Sequence, residues 1–171
     1  MARGSQESAV EEALHRNDLS PMQEVLKYLR ANGYKTYIVT GGGQDFVRQY
    51  AEKTYGIPPE QVVGSAGGTK YGYAKDGKPF LTKEPKLLLN DNDANKPEGI
   101  HLMIGRRPVM AVGNSIGDQQ MLEYTKAGSG ARLSMLVLHD DAKREYDQAK
   151  KDGWTVISMK NDWKQIFPFE K

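Results

Sequence analysis

The segment that most restricts how this chain can fold runs from Arg106 to Leu122, RRPVMAVGNSIGDQQML. Val109, Met110, Ala111 and Val112 form a short apolar run, the kind buried on both faces of a parallel sheet. Gly113-Asn114-Ser115-Ile116-Gly117 is a tight, flexible turn. Asp118 then opens a stretch anchored by Met121 and Leu122, which predicts the start of a helix. A strand, a Gly-rich turn and a helix in this order bring backbone N–H groups and one carboxylate to the strand's C-terminal end. Open α/β sheets bind their ligands there. Asp118 in that place suits a Mg²⁺ ion, with Asn114 adding a neutral oxygen. An Asp that caps a helix in an ordinary strand-to-helix loop accounts for the same residue.

The rest of the chain keeps the alternation. Ser20-Pro21-Met22-Gln23 combines an N-cap serine, a proline at the first helical position and a glutamine in the capping box. Met22, Val25, Leu26 and Leu29 follow at helical spacing, and Gly33 ends that helix. Residues 35–39 (KTYIV) read as a strand, with Thr40-Gly41-Gly42-Gly43 as the loop after it. A second helix is expected over 45–53, with Phe46, Val47 and Tyr50 facing inward, and a short strand at Val62-Val63. Between 69 and 83 the pattern switches to alternation around Asp76-Gly77, the strongest short hairpin signal. Residues 90–95 read as a polar loop and 97–104 as a short helix closed by Gly105. Beyond the central segment come a buried strand at 133–138 and a charged helix at 140–151 whose inner face is Ala142, Tyr146 and Ala149. A final strand at 154–159 follows, and Trp163, Ile166 and Phe167 close the chain.

Strands alternating with helices predict an α/β fold with a doubly wound, mostly parallel sheet and an inserted β-hairpin. The expected organisation is a leader with a short helix in 1–19, then one core domain in 20–171 that carries the hairpin at 69–83. Within the leader, MARGSQES is small and polar. Ser8 and Glu11 form a capping box for a helix over 9–16, with Val10 and Leu14 on one face.

Composition removes several function classes. A length of 171 residues suffices for a real core. The net charge of +2, with no basic tract, argues against nucleic acid as a partner. No long apolar run exists, so the expectation is a soluble chain with no membrane partner, cytoplasmic by default. The absence of cysteine excludes thiolate chemistry and Cys-based zinc sites.

Three further places could carry chemistry. A hydroxyl at Thr40, beside the bare backbone of Gly41 and Gly42, suits a phosphoryl group or another oxyanion, and equally suits capping of the next helix. Lys96 could reach into the site and neutralise a phosphoryl group, or sit solvated on the surface like most lysines. Asp91 and Asp93 follow Leu87-Leu88-Leu89 as an Asp-x-Asp pair. The density of turn formers over 90–95, and Pro85 before them, favour a polar loop over a catalytic pair. His15, His101 and His139 lack ligand spacing and read as structural or surface residues. Tyr71, Tyr73 and Phe80 read as the packed face of the hairpin.

Taken in order, these residues resemble the haloacid dehalogenase (HAD) superfamily of phosphohydrolases, its phosphoserine-phosphatase-like members in particular. The likeness runs from about Pro21 to the end. The strand ending in Thr40 looks like the family's second motif and Lys96 like its third. The stretch from Gly113 to Leu122 looks like its fourth. The resemblance implies a Mg²⁺-dependent phosphatase acting on a phosphorylated small molecule. Thr40, Gly41, Gly42 and Lys96 would bind the phosphoryl group, with Thr40 and Lys96 catalytic, and Asp118 and Asn114 would hold the metal. Exported relatives exist in such a family.

Two departures stand out. The fourth motif often has an acid where Asn114 stands. The family's first motif, a strand ending in Asp-x-Asp that supplies the nucleophile, does not precede Thr40 in this chain. The expectation is therefore a HAD-like core that is weak or inactive alone, or a non-catalytic module that binds an anion or a partner. Two core strands would then be left unpaired along one edge each, and unpaired backbone is costly. Direct pairing of those strands, a homodimer or strand-swapped oligomer, or a separate segment would relieve that cost.

Overall fold

The computed structural model describes residues 19–139 and 143–167. The expected leader, its helix over 9–16 and Ala142 lie outside the described residues. In chain order the elements are α1 (Ser20–Ala31), β1 (Ile38–Gly43), α2 (Gln44–Arg48), α3 (Ala51–Tyr55), β2 (Val62–Tyr73), β3 (Pro79–Leu89), α4 (Asn95–Ile104) and β4 (Met110–Gly113). Then come α5 (Gln119–Lys126), β5 (Leu133–Leu138), α6 (Lys143–Asp152), β6 (Thr155–Ser158) and α7 (Met159–Asp162). Single 3₁₀ turns stand at Pro59–Gln61 and Ile116–Asp118.

The fold is α/β, but the described strands form two three-stranded sheets where one was expected. Their orders are β1-β2-β3 and β4-β5-β6. The second sheet is wholly parallel. In the first, β1 runs parallel to β2 and β2 antiparallel to β3. β1 and β4 therefore each keep one unpaired edge among the described residues, and they do not close the gap by pairing with each other.

Two apolar clusters hold these sheets. Ile100, Ala111, Met121, Leu122, Leu136, Ala149 and Trp154 are buried together around the second sheet. Val47, Ala51, Ile57 and Val62 are buried beside the first. Val39 of β1 packs against the first of these clusters, so the two half-sheets share core contacts although they share no ladder. Along Met110–Gly113, expected to be buried on both faces, burial alternates: Ala111 and Gly113 are buried, Met110 and Val112 half-buried, and Val109 before them is exposed, so the second face is only partly covered.

Several local expectations are corrected. Leu19, not Ser20, occupies the N-cap of α1, with no side-chain cap, and the serine lies one residue inside. The helix expected over 45–53 breaks into α2 and α3 at Gln49 and Tyr50, where Tyr50 leaves helical geometry (φ −122°, ψ −13°). The break turns Phe46 outward to 65% exposure, edge-on to Tyr50. The glycines after Thr40 extend β1 instead of forming a loop, with a register shift between Thr40 and Gly43.

The hairpin is present and longer than expected. Gly77 takes φ +79° in its turn, and the Lys78 N–H donates to Asp76 Oδ1 at 3.2 Å. β3 runs on through Pro85, which falls in the register shift between the Thr69–Lys83 and Gly67–Leu87 pairs and so needs no ladder hydrogen bond. Tyr71, Tyr73 and Phe80 are exposed rather than packed, because this ribbon stands clear of the helices. Tyr146, expected on the inner face of α6, is also partly exposed, and Lys150 lies over its ring at 4.5 Å.

Candidate functional site

The gap between β1 and β4 is where the candidate residues meet. Lys96 is the second residue of α4. Backbone bonds from Asn95 N to Asn92 O (2.9 Å) and from Lys96 N to Asp93 O (3.1 Å) set the start of that helix. The Lys96 side chain is buried and crosses the gap. Its ammonium donates to Val39 O of β1 at 3.1 Å and to Asp118 Oδ1 beyond β4 at 2.8 Å. A lysine ammonium has three donors. The third has no hydrogen-bond acceptor among the described residues.

Asp118 is held as firmly. Its Oδ2 accepts the Asn114 N–H at 2.9 Å and the Ser115 N–H at 3.3 Å. Ser115 and Asp118 complete a capping box around the 3₁₀ turn. The carboxylate packs directly on Gly113, where an added Cβ would lie 2.5 Å from Asp118 Cβ. Asp118 stands at the N-cap of α5 but makes no side-chain cap bond to that helix; its carboxylate caps the preceding 3₁₀ turn instead. The Asn114 amide nitrogen lies 3.2 Å from His139 Nε2, which brings an exposed histidine to the rim of the turn. The spacing of the histidines gave no sign of this, because the contact joins the ends of two parallel strands.

Thr40 and the glycine end of β1 sit on the other side of the gap. Thr40 Oγ1 accepts the Gly42 N–H at 3.1 Å, which leaves its own O–H free to donate outward. The Gly41 carbonyl accepts Ser65 Oγ at 2.8 Å, and the same Ser65 oxygen accepts the Asp91 N–H at 3.0 Å. Ser65 therefore ties the 90–95 loop to the glycine end of β1. Asn92 lies against Gly41 so closely that a Cβ there would fall 1.9 Å from Asn92 Oδ1. Beside Thr40, on the side of α1 and α2, lies a cleft of about 280 Å³ lined by Leu26, Tyr37, Val47, Tyr50 and Ile57.

Sequence reasoning missed Asp91. The loop reading holds for Asn92 and Asp93, which are exposed, but Asp91 is fully buried (0% exposed). Neither of its carboxyl oxygens has a hydrogen-bond partner of ordinary geometry among the described residues. Desolvation pushes its carboxyl up to about 6, and the Lys96 charge and the approach of the Thr40 amide offset part of that rise. A buried, unpartnered carboxylate costs free energy unless it neutralises or finds a cation. The pattern before it gave no such signal, since Leu87 and Leu88 are themselves exposed and only Leu89 is half-buried.

Mg²⁺ at Asp118 and Asn114 can be tested against this geometry. One Asp118 oxygen is engaged by an ammonium and the other by two amides. A divalent cation there would have to displace Lys96 or sit beside it, and Asn114 supplies no compensating charge. Among the described residues no group of three or more acidic or histidine side chains gathers to hold a metal. A Mg²⁺ ion would thus compete with Lys96 for the Asp118 carboxylate, with Asn114 as a neutral second ligand.

No protein-family model matches the chain, and no curated protein matches it.

Proposed function

We propose that this chain is the phosphoryl-binding core of a haloacid-dehalogenase-type phosphomonoester hydrolase, with little or no turnover of its own. The observation that carries the reading is the Lys96 ammonium. It joins the end of β1 to the turn after β4 beside Thr40, Gly41 and Gly42, with one donor unspent. An oxyanion meeting that donor, the Thr40 O–H and the backbone of the glycines would find charge and hydrogen bonds together. Asn92, exposed and lying over Gly41, is the side chain that would have to move aside.

The chemistry of such a site needs a nucleophile, and the two buried carboxylates at the site are not available as one. Asp118 is committed to Lys96 and to its cap, and Asp91 is buried under α4. The site so built binds and neutralises an anion, while neither Asp118 nor Asp91 is free to attack it.

The deciding experiment is hydrolysis of p-nitrophenyl phosphate by the purified chain beside Lys96→Ala and Asp118→Asn, with direct phosphate binding measured in parallel. Binding that Lys96→Ala abolishes, with turnover no higher than in the variants, is the expected result. Absence of both binding and turnover would overturn the reading.

A specific observation favours assembly as a second feature. β1 and β4 each offer an unpaired edge, and the hairpin exposes Tyr71, Tyr73, Leu81, Leu87 and Leu88. Open edges and apolar ribbon faces are surfaces that proteins cover by pairing. A homodimer or strand-exchanged oligomer would do so.

A further inference from the structure

Asp91 is the buried group that the anion site leaves unexplained. Its surroundings are fully specified. The Thr40 amide approaches from β1, Val63 and Ser65 stand on β2, Leu89 on β3, and Lys96 and Gly99 on α4. The carboxyl rests on bare backbone, since a Cβ at Gly99 would fall 2.4 Å from Asp91 Oδ1. Of these groups Lys96 alone is charged, and Asp118 lies 2.8 Å from the same ammonium.

One buried cation thus stands between two carboxylates. With both ionised the cluster carries a net negative charge before any ligand arrives, and an incoming oxyanion would add to it. Burial without a hydrogen-bond donor raises the proton affinity of the Asp91 carboxyl, and the Lys96 charge offsets only part of that rise. Asp118 already accepts an ammonium and two N–H donors. Asp91 has no donor of ordinary geometry and is the group that can accept a proton without breaking a bond.

We propose that Asp91 is the proton-linked counter-charge of the anion site: an oxyanion that docks on Lys96, Thr40 and the glycine end of β1 draws one proton from solvent onto Asp91. The inference rests on the phosphoryl-binding reading above. It makes anion affinity a function of pH through a residue that never touches the anion. Asp91 is a positioning residue in this scheme. Its burial, its missing hydrogen bonds and its carboxyl raised to about 6 agree with a group poised to switch.

Sulfate is the probe, because its charge does not change between pH 5 and 8. Its affinity is measured by calorimetry across that range for the wild-type chain, Asp91→Asn and Lys96→Ala. The ¹³C carboxyl signal of Asp91 is titrated with and without sulfate. The expected result is wild-type affinity that tightens as pH falls, by up to about tenfold per unit, the limit for one linked proton. Asp91→Asn should bind at every pH with that slope gone, and the Asp91 titration should move to higher pH when sulfate is present. Wild-type binding that is flat with pH, or a slope kept in Asp91→Asn, overturns the linkage while leaving the anion site standing. Sulfate binding in neither the wild type nor Asp91→Asn, or binding unaffected by Lys96→Ala, overturns the anion site and the linkage with it. Should Asp91→Asn fail to fold, the carboxyl titration of the wild type decides alone: a midpoint that sulfate does not move sinks the proposal.

Discussion

The Lys96 ammonium lies 2.8 Å from Asp118 Oδ1, with both side chains about nine-tenths buried. This pair joins the start of α4 to the turn after β4, and through Val39 O it reaches β1 as well. A buried ion pair adds little over a well-packed apolar pair, but removing one partner strands the other.

Lys96→Met should therefore destabilise the chain by about 3–5 kcal/mol, the usual cost of stranding a buried charge. Asp118 would lose its ammonium and Asp91 its nearest cation in one step. Chemical denaturation against the wild type measures this. A loss of less than about 1 kcal/mol, the range of an exposed pair, would show that the pair is solvated.

Asp91 should make stability depend on pH. Its folded carboxyl lies near 6 against an ordinary 3.8, so the folded state binds the proton more tightly than the unfolded one. The stability this supplies is complete below about pH 4 and is lost as pH rises through about 6. The loss by pH 7.5 is on the order of 3 kcal/mol. Asp91→Asn should remove that loss. Its Tm should exceed that of the wild type by more at pH 7.5 than at pH 4.5, by roughly 5–10 °C in the difference. Parallel Tm curves for the two proteins would exclude this role for the buried carboxyl.

Two glycines at the site should respond differently to the same methyl group. At Gly113 a Cβ would meet Asp118 Cβ at 2.5 Å, an atom tied to its own backbone, so Gly113→Ala should cost about 1–3 kcal/mol. At Gly41 it would meet only the amide end of Asn92, an exposed side chain that can swing away. Gly41→Ala should cost less than about 1 kcal/mol. Equal losses on urea denaturation would mean that Asn92 is held in place.

Millimolar Mg²⁺ should leave the melting temperature of the free protein unchanged, because both Asp118 oxygens are already engaged. Thermal scans with Mg²⁺ and with chelator test it. A rise of several degrees that Asp118→Asn abolishes would show that Asp118 exchanges Lys96 for the ion.

The hairpin predicts self-association. Tyr71, Leu81 and Tyr73 share one face of the ribbon through the Tyr71–Leu81 and Tyr73–Pro79 pairs, and each is more than half exposed. Sedimentation velocity at micromolar concentration should show species larger than the monomer. Tyr71→Ser with Leu81→Ser should reduce them without lowering monomer stability. A wild-type monomer over that range would remove the oligomer from consideration.

Sequence alone determined the local order. The apolar runs at 110–113 and 133–138 are strands, Asp76-Gly77 turns a hairpin, and Gly105 ends a helix in the left-handed conformation (φ +70°). These follow from side-chain periodicity and from the φ that a residue tolerates, both properties of a few neighbouring residues. Thr40 and Asp118 were legible as candidates because each falls at or beside a strand end in an alternating α/β order, whereas Lys96, on α4, joined them only through the family resemblance.

Tertiary structure decided the remainder. Whether β1 pairs with β4 depends on what lies between them, and no window of sequence contains that contact. Phe46 and the hairpin aromatics looked like core residues by pattern, but a face is buried only where another element covers it. Asp91 shows the same limit in reverse. Set in a polar stretch, it reads as a loop residue. It is buried because Gly99 of α4, which packs on Val63 and Leu89, leaves room for its carboxyl. Its charge is a matter of desolvation and of distance to Lys96, and both are set only once the chain has folded.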